Sequence, residues 1–174
     1  MHVSLRMLNT SPEKDVRELD LLTQGKTPKN VRFWTVEQWT VKMKARHSTL
    51  KAVRFRVLFD GLPSTVARQL ARHTTGMIYP YMQSARPDWS GTERPPEPYP
   101  VLFALDTDAE GWIALAQKRL CKRAWQPTRE AIEEAVSTMT VSTRPYFEAL
   151  ASVSKPRCLT ELECPEGPMS CGRV

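Results

Sequence analysis

The chain has 174 residues, with 25 Lys and Arg against 19 Asp and Glu for a formal net charge of +6, and 41% of its residues are hydrophobic. A chain this long buries roughly 70% of its unfolded surface, and such an apolar share excludes a wholly disordered protein. No run approaches the ~18 apolar residues of a membrane span, and no apolar secretory stretch opens the sequence, so a cytoplasmic protein is expected.

Residues 2–8 alternate Val3, Leu5 and Met7 with polar neighbours and then add Leu8, which suits a short half-buried strand. Ser11-Pro12-Glu13 then reads as a helix start, carried on by Val16, Leu19 and Leu22 and ending near Gly25. Thr35-Val36-Glu37-Gln38 has the form of a capping box ahead of Trp39, Val41 and Met43. Val53, Phe55, Val57 and Phe59 alternate as a strand, with Asp60-Gly61 as its closing turn. Pro63-Ser64-Thr65 opens a helix with Val66, Ala67 and Leu70 on one side and Arg68, Gln69, Arg72 and His73 on the others.

Five of the fourteen prolines fall between Pro87 and Pro100, so this stretch is expected to be an extended surface connection. Asp106-Thr107-Asp108 caps a helix bearing Trp112, Ile113, Leu115, Ala116, Leu120 and Ala124, which Pro127 must break or kink. A helix with Ile132, Val136 and Met139 follows, and residues 142–150 allow one more. The predicted division is a domain over residues 1–151 and a Cys-rich tail over residues 152–174.

Charge is unevenly spread. Residues 25–86 hold twelve Lys and Arg against two acids, Glu37 and Asp60, leaving 13 against 17 elsewhere. Such a segment suits a nucleotide phosphate, a nucleic acid or an acidic partner; a solvated basic face is the plain alternative. The four cysteines suggest a tetrahedral zinc site of Cys121, Cys158, Cys164 and Cys171, with free thiols the simpler reading.

Three segments in order carry a family resemblance: Phe55 through the helix ending Gln69-Leu70-Ala71-Arg72-His73, then Ser84-Ala85-Arg86, then Lys118-Arg119-Leu120-Cys121-Lys122-Arg123. Together they resemble the flavin-dependent thymidylate synthases, the ThyX family. The resemblance implies an α/β (α+β) domain with a small mixed or antiparallel sheet, flanking helices and a long helical C-terminal half. It implies methylation of dUMP to dTMP, with methylenetetrahydrofolate and NADPH as co-substrates and FAD as cofactor. Gln69, Ser84, Arg86 and Arg119 would hold dUMP, with Arg119 and Ser84 catalytic and Arg119 polarising the uracil. Arg72 and His73 would face FAD. The family also implies a homotetramer. Thr74 stands where the family's signature has a third cation. Two other readings stay open: a non-catalytic or altered-specificity nucleotide-binding descendant, and a nucleic-acid-binding module using residues 25–86, although nucleic acid is not the expected partner.

Overall fold

The computed structural model describes residues 1–27, 33–73, 78–84, 91, 93, 95–161, 164 and 167–173. Four strands form one sheet: β1 (His2–Met7), β2 (Arg54–Pro63), β3 (Ile78–Met82) and β4 (Pro100–Asp108), in the order β1-β2-β4-β3. Every neighbouring pair among the described residues is antiparallel. Seven described α-helices accompany it: α1 (Pro12–Leu22), α2 (Val36–Lys44), α3 (Ser64–Ala71), α4 (Ala109–Arg119), α5 (Gln126–Thr140), α6 (Pro145–Val153) and α7 (Arg157–Glu161).

The period-two pattern of β2 decides which sheet face is covered. Phe55, Val57 and Phe59 are fully buried, with Val3 of β1 and Phe103 and Leu105 of β4 beside them. On the opposite face the guanidiniums of Arg54 and Arg56 lie over the rings of Tyr79 and Tyr81, at 5.0 and 5.8 Å. Arg56 also donates from Nε and Nη2 to the two carboxylate oxygens of Asp106, at 2.5 and 2.8 Å.

Asp60-Gly61 does not close the strand. The register of β2 against β4 shifts between Phe59 and Leu62, and Gly61 takes up the bulge with φ +76°, a value that glycine adopts without cost. The chain therefore continues to Pro63 and turns straight into α3. Prolines hide β3 and β4 in the sequence. Pro80 is tolerated because β3 is an edge strand, and Pro100 because it is the first residue of β4. Asp106 and Thr107 accordingly belong to the strand, and Asp108 alone caps α4.

Aromatic side chains join the layers. Phe55 lies edge-on to Trp112 of α4 and to Tyr146 and Phe147 of α6, at 6.3, 5.9 and 5.5 Å between centroids. Trp39 of α2 meets Tyr146 at 5.0 Å. Burying each such ring contributes roughly 1.5–3 kcal/mol, before the added value of edge-to-face geometry. Trp112 is thus a core residue, and its Nε1 donates to Ser154 Oγ at 3.0 Å. Thr35 forms the expected capping box with Gln38, whereas α4 ends at Arg119, short of the expected Leu120 and Ala124, and Pro127 sits in the first turn of α5, where its missing N–H costs nothing.

Candidate functional site

α4 carries the site, and its position is fixed at its start. Asp108 Oδ1 accepts from the Gly111 N–H at 2.8 Å, a side-chain cap that sets the helix direction. A Cβ on Gly111 would lie 2.7 Å from Thr107 Oγ1 and 3.1 Å from Ile78 Cγ1, so only glycine lets α4 approach the sheet this closely. At the other end Arg119 closes the helix. Within the helix, the Trp112–Ser154 bond and a bond from Ser154 Oγ to the Leu150 carbonyl (2.7 Å) lock the end of α6 onto α4. The tail therefore leaves α6 alongside α4, and Gln117 Nε2 donates to Thr160 Oγ1 of α7 at 3.3 Å.

A cavity of about 730 Å³ lies between α4, the end of α3 and this tail. Lys118, Arg119, Arg123 and Arg157 line it, and no carboxylate does among the described residues. His73 enters from the C-terminal side of α3. Arg119 Nε donates to His73 Nε2 at 2.5 Å, which places the imidazole proton on Nδ1. Burial first, then the charges of Arg119 and Lys118, hold His73 down at about 4, so the ring is neutral at pH 7. Burial also lowers the pKa of Arg119 from its ordinary value. Arg123 Nη2 donates to the Ser170 carbonyl at 3.1 Å and so ties the last part of the tail to this wall.

The residues singled out in the sequence are only partly brought together. Arg119 and His73 meet directly, although the resemblance gives them to nucleotide and flavin separately. Gln69 is engaged elsewhere, since its Oε1 accepts from Thr128 Oγ1 at 3.3 Å and links α3 to α5. Arg72 is exposed at the C-cap of α3, and neither it, Gln69 nor Ser84, just beyond β3, lines the cavity. Arg86 lies outside the described residues. Arg123 follows the end of α4 instead of extending the Arg119 face, yet both line the cavity.

All four cysteines line this one cavity, with Cys158 buried and the other three half-buried. Among the described residues no three His, Cys, Asp or Glu groups are placed to hold one metal ion. The zinc cluster is therefore not assembled: the thiols share a wall without converging on a point. Spacings of five and six residues in the tail give no hint of their shared location.

No protein-family model and no curated protein sequence matches the chain. Solved structures do. A UMP/dUMP methylase, PolB, from Streptomyces cacaoi, bound with 5-Br dUMP, superposes with a TM-score of 0.59 at 12% identity, covering 87% of this chain and 95% of that one. The flavin-dependent thymidylate synthase ThyX from Helicobacter pylori, complexed with FAD and dUMP, gives 0.61 at 11% identity, over 83% and 98%. A second structure of that Helicobacter pylori enzyme with FAD and dUMP gives 0.58 at 11%, over 85% and 99%. The chain has the ThyX-type fold. At these identities the likeness is one of fold, and it spans nearly the whole length of each neighbour. Among the described residues no helix is long and apolar enough to cross a membrane.

Proposed function

We propose that the chain binds a pyrimidine nucleoside monophosphate of the dUMP class, with its phosphate in the cavity at the end of α4. The observation that carries this reading is three cations around one cavity, Lys118, Arg119 and Arg123, with no carboxylate in its described lining, the fourth, Arg157, being paired with Glu161 at 2.6 Å. A phosphate replaces that missing counter-charge, and the forked guanidinium of Arg119 suits its oxygens better than an ammonium does. A neutral His73 leaves the cavity free of competing acid chemistry and accepts from Arg119 Nε, so the remaining guanidinium N–H groups are the ones offered to a ligand. The neighbours' dUMP and 5-Br dUMP agree with a pyrimidine nucleotide as the ligand.

Methylation of dUMP with methylenetetrahydrofolate, NADPH and FAD is the activity that the resemblance adds. The residues matched to FAD do not fit it within one chain. Arg72 is exposed and does not line the cavity, and His73 Nε2 is already taken by Arg119. A flavin cradle would then come from neighbouring copies in a homotetramer of the kind the resemblance implies, and the non-catalytic nucleotide-binding descendant is the second reading, favoured by those same two residues. Flavin titration in the presence of dUMP separates them. A flavin absorbance shift on adding dUMP supports the enzyme, whereas dUMP binding without flavin binding supports the descendant. No dUMP binding removes both.

A further inference from the structure

Gln117 lines a second cavity besides the cationic one, of about 370 Å³ and bounded by α2, α4, α6 and the tail. Its buried floor is apolar: Met43, Ile113 and Val153 are no more than 8% exposed. Its rim carries Lys44, Arg46 and Lys155, and no carboxylate lines it among the described residues. None of the three cations forms an ion pair with a described carboxylate, unlike Lys42, which is held by Asp20 close by. Cations at the end of α2 are favoured by its dipole, which accounts for Lys44. That account does not extend to Lys155, which comes from a different segment.

Arg46 is held there at a cost. Its φ of +50° makes it the one non-glycine residue in the left-handed region among the described residues. Its Nη2 donates to Gln117 Oε1 at 3.0 Å, while the Gln117 amide nitrogen donates to Thr160 Oγ1. Both ends of the Gln117 amide are thus used, and the guanidinium is fixed at the rim without any charge to neutralise it.

We propose that this cavity is a binding site for a small amphipathic organic anion: an aromatic or short acyl body on the Met43–Ile113–Val153 floor, with one carboxylate, sulfonate or phosphate among Lys44, Arg46 and Lys155. Inorganic phosphate would leave the floor wet, and a neutral apolar guest would leave the three cations unanswered. The volume lies at the small end of ligand pockets. The site is separate from the nucleotide cavity, and the inference does not rest on what that cavity binds.

Titration of the full chain with 8-anilinonaphthalene-1-sulfonate, followed by fluorescence, tests it, with neutral N-phenyl-1-naphthylamine as the control. Arg46→Gly removes the guanidinium where glycine suits the backbone, so the fold is retained. Lys155→Gln removes a rim charge from the other segment. One saturable site is expected, weakened about tenfold or more by Arg46→Gly and measurably by Lys155→Gln, while the neutral probe binds weakly and alike in all three proteins. Absence of saturable binding overturns the proposal. So does an affinity that neither variant changes, or displacement of the probe by dUMP.

Discussion

Arg119 and His73, 46 residues apart in sequence, form a hydrogen bond of 2.5 Å in which a cation donates to a neutral imidazole. The pair carries one positive charge and no carboxylate stands beside it in the cavity's described lining. A carboxylate as the acceptor of Arg119 would cancel that charge; the neutral imidazole preserves it. The fold thereby keeps a half-buried guanidinium available to an external anion.

The same contact makes His73 a reporter. Its proton NMR titration midpoint is expected near 4 instead of the ordinary 6.5. Burial is the largest cause, so Arg119→Ala should raise the midpoint only part of the way back. The sign for stability follows from linkage: between pH 6.5 and 4 the unfolded chain binds more protons at this site than the folded one. The stability due to neutral His73 is fully present above about pH 6.5 and is lost as the pH falls towards 4. Urea midpoints across this range should fall less steeply in His73→Gln.

Gly111→Ala should destabilise the protein by about 1–3 kcal/mol, because the added methyl meets Thr107 Oγ1 and Ile78 Cγ1 between helix and sheet. Chemical denaturation measures this loss directly. An unchanged midpoint would mean that α4 has room to move off the sheet.

Ser154→Ala leaves the buried Trp112 Nε1 without its acceptor and should cost about 1–3 kcal/mol. Since Ser154 also starts the tail, the change should expose Cys158, the one buried thiol of the four. Thiol titration with a chromogenic disulfide is expected to label Cys121, Cys164 and Cys171 quickly and Cys158 slowly. In Ser154→Ala the slow phase should speed up.

Much of the fold is legible in local signals, each with a short-range physical cause. The capping box at Thr35 and the alternation through Phe55 and Phe59 depend only on nearby residues. β3 and β4 escape a local reading because prolines are strand breakers in the interior of a sheet, and here they sit at an edge and a first position. The central place of β4 rests on pairing with β2, about fifty residues away, which no local pattern reveals. The cavity is less legible still. Arg119 and His73 both stand out in the sequence, but their contact depends on how α3 and α4 pack. Arg157 and the shared position of the cysteines depend on how the tail docks.

The most direct measurement is calorimetric titration of the full chain with dUMP, beside Arg119→Ala. Arg119 is half-buried at a helix end and its printed side-chain bond goes to His73, itself half-buried and open to water, so the variant should lose no more than about 1 kcal/mol of stability in urea. A charge-assisted contact to phosphate is worth about 1.5–3 kcal/mol, so dUMP affinity should fall roughly ten- to hundredfold, and parent affinity should weaken as salt rises. Equal dUMP affinity in the two proteins, or no dUMP binding by the parent, would contradict the assignment of the α4 cavity as a nucleotide site.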